Sequence, residues 1–219
     1  MHPHDPAAYT QGLLIHDGRL FESTGLYGES SLREIDWTTG EIRRRQALPE
    51  QFFGEGLAWH DGELWMLTWR EQTAFVYNPD VFAIRRTYRY EGEGWGLTSD
   101  GRHLIMSDGT STLRWMNPAD FTEARRISVT EAGRPLLNLN ELEWIDGQLL
   151  ANVYLTDRVV AIDPENGRVT ASMDLSSLRA HLPRPHQAEV LNGIAFDPSS
   201  GHLLVTGKNW PALFVLKWR

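Results

Sequence analysis

Hydrophobic and polar positions along this chain of 219 residues fall into short runs that recur. Five segments share one plan, in which a small or polar residue leads into a brief apolar run that ends at a turn. They begin at Gly12, Gly56, Gly96, Glu141 and Gly193. The turns are Asp17-Gly18, Asp61-Gly62, Asp100-Gly101, Asp146-Gly147 and, in the last segment, Asp197 with Ser200-Gly201. Asp-Gly between apolar runs is a strong hairpin signal, because both central residues of a type I′ turn need positive φ. The starts are separated by 44, 40, 45 and 52 residues. Those intervals are close to the roughly 40 to 50 residues of a four-stranded propeller blade.

Each turn predicts a returning strand, at 20–24, 64–69, 103–108, 148–154 and 202–208. Third strands follow at 31–36, 73–78, 112–116, 158–163 and 212–218, and fourth strands at 41–47, 83–89, 125–129 and 168–173. The expected fold class is all-β, a five-bladed β-propeller occupying residues 1–219 as a single domain. A β-sandwich or barrel would also show many short strands, but five repeats that turn at the same place favour a ring. The fifth repeat yields three strands, and residues 1–8, with Pro3 and Pro6, show almost no strand pattern. The expectation is a fifth blade of three strands, or with a short, poor fourth. Within the insertion at 176–188, the run from Ser177 to Leu182 predicts a helical turn before Pro183.

In an antiparallel blade the start of the first strand and the end of the second share one edge. Residues at those points of every repeat must therefore gather at one mouth of the ring. They are Tyr9, Thr10 and Gln11; Phe53, Glu55 and Trp69; Trp95 and Asp108; Asn140 and Tyr154; and Asn192 and Lys208. Together they describe an aromatic-walled pocket with few polar groups, the usual form of a small-ligand site. Glu55 stands between Gly54 and Gly56, where the backbone has unusual freedom and another molecule can approach closely. It is a candidate acid or base, against the plainer reading of a turn glutamate facing water. Trp65, Trp115, Trp144 and Trp218 fall inside strands and read as core, whereas Trp69 and Trp95 face the mouth. Asp108 reads as a turn-forming carboxylate.

Composition narrows the chemistry. The net charge of −8 and the scarcity of basic clusters beyond Arg43-Arg44-Arg45 argue against nucleic acid and suit a cationic ligand such as a free α-amino group. There is no cysteine, which excludes disulfides, thiolate metal sites and a cysteine nucleophile. No apolar run reaches membrane-spanning length, so no membrane association is expected. His2 and His4 lie in what reads as a flexible terminus, and His16 and His60 in turns at the far edge. No spacing of His and carboxylates resembles a ligand set, so no metal and no cofactor is expected. Residues 1–6 have neither the basic start nor the apolar core of a secretion signal; the compartment is cytoplasmic, or periplasmic or secreted where a leader has been removed.

The residues at the mouth carry a resemblance. His4-Asp5-Pro6-Ala7-Ala8-Tyr9-Thr10-Gln11-Gly12-Leu13, Phe53-Gly54-Glu55-Gly56-Leu57, Gly94-Trp95-Gly96-Leu97, Ser107-Asp108-Gly109-Thr110, Leu139-Asn140-Glu141-Leu142-Glu143, Ala151-Asn152-Val153-Tyr154 and Leu191-Asn192-Gly193-Ile194-Ala195 resemble the glutaminyl cyclases of the plant and bacterial type. These motifs lie in all five repeats. The resemblance implies a five-bladed propeller that converts the N-terminal glutamine of peptides or proteins to pyroglutamate and releases ammonia. It also implies Glu55 as catalytic acid/base, with Gln11, Trp69, Trp95, Asn140 and Lys208 as pocket residues. Tyr9 stands where the family usually has Phe, and Tyr154 where the plant enzymes have Trp.

The chemistry then reads as one proton shuttled by Glu55 from the substrate amine to the leaving nitrogen. Asn140 and Lys208 would donate to the charged oxygen, with an indole N–H from Trp69 or Trp95 as a further donor. A monomer is expected. Two rivals are a non-catalytic propeller that binds peptides or a protein partner at the same mouth, and a metal-dependent hydrolase of the six-bladed lactonase type. The latter needs a carboxylate cluster for which only Glu55, Asp108 and Glu141 are available.

Overall fold

The repeats close into a ring of five four-stranded antiparallel sheets, seen in a computed structural model that describes residues 1–218. Blade 1 comprises Thr10–His16, Arg19–Thr24, Ser31–Asp36 and Glu41–Ala47; blade 2 comprises Gly54–His60, Glu63–Thr68, Thr73–Tyr77 and Ile84–Arg89. Blade 3 comprises Leu97–Ser99, Leu104–Ser107, Thr112–Met116 and Glu123–Ser128; blade 4 comprises Leu139–Ile145, Gln148–Val153, Arg158–Ile162 and Val169–Asp174. In blade 5, Leu191–Asp197, His202–Gly207 and Ala212–Lys217 are joined by His2–Pro3. The hairpins form as their residues require, with Asp17, Asp61 and Asp146 at φ of 49°, 47° and 48° ahead of Gly18, Gly62 and Gly147 at 73°, 78° and 84°.

Burial follows position in the ring. First and second strands are almost wholly buried, whereas the outermost strands of blades 1 and 3 alternate between partly buried and exposed residues. The apolar core is divided into five clusters, one at each junction between neighbouring blades. Leu14, Phe21 and Leu32 meet Leu57, Leu64 and Met66 between blades 1 and 2. Trp65 and Leu67 meet Leu97 and Met106 between blades 2 and 3. Further clusters join blade 3 to 4, 4 to 5, and 5 to 1. Trp65 and Trp115 are buried in these clusters as expected, while Trp144 and Trp218 are partly buried against them. Trp210, unremarked in the sequence, is fully buried and donates its indole N–H to the Glu189 carbonyl at 3.0 Å.

Ring closure rests on the N-terminus. Two residues supply the fourth strand of blade 5, pairing His2 with Leu213 and Pro3 with Ala212. The helical turn forms as a 3-10 segment, Ser176–His181. A small hairpin, Thr130–Glu131 with Arg134–Pro135, had no signal in the strand pattern.

His4 corrects the expectation of a loose terminus. It is buried, its Nε2 lies 2.9 Å from Glu22 Oε1 and its Nδ1 2.8 Å from the Trp210 carbonyl. Glu22 also accepts the Thr10 hydroxyl at 2.7 Å. Burial alone would lower the His4 pKa, but the charge and hydrogen bond of Glu22 outweigh it and the value is raised. The stabilisation from charging His4 is therefore full below its unfolded value near 6.5, and is lost as pH rises through the raised folded value. Since removing one partner strands the other in a buried site, His4→Ala should cost about 3 kcal/mol in denaturant titration. The difference from wild type should shrink as pH rises. An unchanged unfolding midpoint at pH 6 would show that closure does not depend on this pair.

Candidate active site

At the mouth, the first strands of four blades slip register against their second strands. The slips lie between Thr10 and Gly12, Gly54 and Leu57, Leu139 and Leu142, and Leu191 and Ile194. Such bulges re-aim side chains and recur beside functional sites. Here the slipped residues include Gln11, Glu55, Asn140 and Asn192. Blade 3 differs, presenting Trp95 just ahead of its short first strand.

Every junction between blades also carries a hydrogen bond at this level. Ser23 Oγ donates to the Glu55 carbonyl at 2.5 Å, Gly56 N–H to the Trp95 carbonyl at 2.7 Å, and Ser107 Oγ to the Asn140 carbonyl at 2.7 Å. Gly193 N–H donates to Asn152 Oδ1 at 3.1 Å, and Asn192 Nδ2 to the Thr10 carbonyl at 3.0 Å. The mouth residues are thus fixed from the neighbouring blade as well as from their own.

The result is a cavity of about 210 Å³ lined by Tyr9, Gln11, Leu26, Phe53, Glu55, Trp69, Trp95, Asn140 and Tyr154. Its wall is built by edge-on aromatic contacts, Phe53 to Trp69 and Trp95 to Tyr154, both at 5.4 Å between ring centroids. Lys208 Nζ reaches between two of these rings, 4.5 Å from the Tyr9 centroid and 5.1 Å from that of Tyr154. Nine of the twelve mouth residues read from the sequence meet here. Asp108 instead accepts the Thr110 N–H at 3.0 Å and closes its turn.

Glu55 is 4% exposed and accepts Gln11 Nε2 at 2.9 Å. The Gln11 side-chain oxygen Oε1 accepts from Asn192 Nδ2 at 3.4 Å, so Asn192, Gln11 and Glu55 form a chain of amides ending on the carboxylate. Burial pushes the Glu55 pKa well above the usual carboxylate range; the Lys208 charge opposes this, and Glu93 and Glu71 add to it. Lys208 is moved the other way, lowered by burial against the pull of Glu55 and Glu189. Desolvation thus draws both groups toward their neutral forms. Tyr9 is pushed up to about 12, by burial and by Glu189. Among the described residues, Asn140 Oδ1 is buried without a hydrogen-bond partner.

Two residues of the site lie outside the repeat positions that mark the mouth. Leu26 lines the cavity with φ at 80°, a left-handed conformation uncommon for a branched side chain. Glu93 accepts both indole N–H groups, Trp69 at 2.7 Å and Trp95 at 2.9 Å, through one oxygen, and Arg70 binds its other oxygen at 3.1 Å. Burial would raise the Glu93 pKa, but these hydrogen bonds outweigh it and hold it below the usual range. This corrects the expectation that an indole could serve the charged oxygen, because both are already engaged. A signal existed in Gly92-Glu93-Gly94, which repeats the Gly-Glu-Gly of 54–56.

A larger cavity, about 430 Å³, opens at the opposite mouth around His16, Trp59, Glu143 and Phe196. Glu143 there takes the Phe196 N–H at 2.7 Å, and the lining includes no lysine, arginine or side-chain amide. The smaller cavity, with an acid, a cation and amides converging, is the better equipped for chemistry.

Comparison with known proteins agrees with this geometry. The family model described as glutamine cyclotransferase matches residues 1–218. A glutaminyl-peptide cyclotransferase of Arabidopsis thaliana is 41% identical over 219 residues, an alignment spanning 98% of this chain and 68% of the relative. The crystal structure of Myxococcus xanthus glutaminyl cyclase superposes with a TM-score of 0.91 at 36% identity, covering 98% of this chain and 92% of that one. Kuenenia stuttgartiensis hydrazine synthase, at 15% identity and a TM-score of 0.54 over 94% of this chain and 57% of its own, shares the fold alone. The chain with this ring and this mouth belongs to the glutamine cyclotransferase family.

Proposed function

We propose that this chain is a glutaminyl-peptide cyclotransferase, which closes the N-terminal glutamine of a peptide or protein into pyroglutamate and releases ammonia, with Glu55 moving the proton. The observation that carries the reading is the Glu55 carboxylate at the base of an aromatic pocket, oriented by Gln11 and facing the charge of Lys208. The family supplies the activity.

Glutamine enters with its α-amine and its side-chain amide in one small cavity. The neutral α-amine attacks the amide carbon with its lone pair, and Glu55 takes a proton from that nitrogen as the N–C bond forms. The carbonyl π electrons move to oxygen, and Lys208 Nζ and the Asn140 amide donate hydrogen bonds to it. The protonated Glu55 returns the proton to the amide nitrogen, the C–N bond breaks, the carbonyl reforms and ammonia departs. A base with a pKa near working pH is effective in both directions, and the upward shift of Glu55 moves it that way. Phe53, Trp69, Trp95, Tyr9 and Tyr154 hold the flexible side chain folded toward the five-membered ring, and such pre-orientation lowers a barrier by several kcal/mol.

The test is ammonia release from a short peptide that begins with glutamine, read beside the same peptide with its α-amine acetylated. Equimolar ammonia and pyroglutamyl product are expected from the first and none from the second. Binding of the free peptide without ammonia would instead support a peptide-binding propeller.

A further inference from the structure

The residue that follows each mouth residue stands at the ring's axis. It is glycine in four blades, Gly12, Gly56, Gly96 and Gly193, and Glu141 in blade 4. The glycines let neighbouring first strands touch: a Cβ on Gly12 would lie 2.5 Å from the Leu57 backbone nitrogen, and one on Gly96 would overlap the Asn140 carbonyl oxygen. Of these five equivalent positions only that of blade 4 carries a side chain, and Glu141 is 0% exposed.

Its carboxylate spans two other blades. Oε1 accepts the Leu13 N–H of blade 1 at 3.3 Å, and Oε2 accepts the Ile194 N–H of blade 5 at 2.8 Å. Leu13 and Ile194 stand two residues beyond Gln11 and Asn192, the amides that lead to Glu55. A glycine at position 141 would complete the ring of glycines, and an apolar side chain would fill the axis without the cost of burying an acid. A carboxylate is the group that offers two acceptors on a stem long enough to reach both strands. Without it two buried N–H groups lose their partners. Burial moves the Glu141 pKa well up, with Glu143 adding to the shift and the two N–H bonds opposing it.

We propose that Glu141 is a positioning residue for the cyclisation: it ties the first strands of blades 1 and 5 to blade 4, and so sets Gln11 and Asn192 to orient the Glu55 carboxylate. It makes no contact with substrate. The proposal rests on the reading of Glu55 and Gln11 given above.

The test is a double-mutant cycle of Glu141→Gln and Gln11→Ala, with kcat and KM measured on a glutamine-initiated peptide and folding followed by circular dichroism. Glu141→Gln keeps the volume but turns an amide N–H toward one of the two backbone N–H groups. The expected loss is about tenfold in kcat, since a small misplacement of reacting groups is felt strongly, with KM within about twofold of wild type. Gln11→Ala should also be slow, and the double variant no slower than Gln11→Ala alone, because Glu141 acts through Gln11. Losses that multiply in the double variant, or a wild-type kcat in folded Glu141→Gln, would overturn the positioning role and leave the reading of Gln11 standing. A wild-type kcat in Gln11→Ala would overturn both. If Glu141→Gln does not fold, Glu141→Asp, which retains a carboxylate, enters the same cycle. A chain that folds with neither would mark Glu141 as a structural tie only and overturn the proposal.

Discussion

Glu55→Gln should lower kcat for a glutamine-initiated peptide by about 10³ to 10⁴, at the upper end of what a positioned acid/base contributes. The fold should be unharmed, because the substitution is isosteric and places a neutral group where burial already disfavours charge. The side-chain oxygen of the new residue can still accept Gln11 Nε2, so KM should change little. On the proposed mechanism, activity in wild type requires the ionised carboxylate. With a raised pKa, the acid limb of the pH profile should lie above the usual carboxylate range, activity falling as pH drops through it. A variant that is folded and retains near-normal turnover would remove Glu55 from the mechanism.

Lys208→Met should lower kcat by about 10², the typical loss when one donor to a developing oxyanion is removed. It should also move the acid limb. The Lys208 charge holds the Glu55 pKa down against burial, Glu93 and Glu71, so removing it lets Glu55 rise further and the limb should shift to higher pH. Methionine fills the space between Tyr9 and Tyr154 without a charge, which separates the electrostatic effect from a packing defect. Reduced kcat with an unmoved acid limb would place Lys208 on the substrate oxygen alone. An unmoved kcat would take it out of the reaction.

Much of this arrangement could be read from the chain because the repeat is carried by local chemistry. The Asp-Gly turns announce themselves through the φ values they need, and once their spacing is found, the mouth positions follow by counting. The bulges that aim Gln11, Glu55, Asn140 and Asn192 are not local in this sense, since a slip of register depends on the partner strand. Glu93 escaped because it sits in an irregular loop between blades, where no periodicity marks a side chain as inward. Its two partners, Trp69 and Trp95, come from different repeats. The burial of His4 is hidden for a related reason: prolines at 3 and 6 look like a frayed end, and its partner Glu22 is reached only when the ring closes.

The contact of main chain with main chain at Gly12 and Gly96 limits how this enzyme can diversify. Beneath the reacting groups four of the five positions are glycine and the fifth is Glu141, held by two backbone N–H groups, so a roomier or tighter cavity cannot be obtained from below. A change of substrate preference would then have to arise in the wall, through positions such as Tyr9, Leu26 and Tyr154, while the base stays as it is.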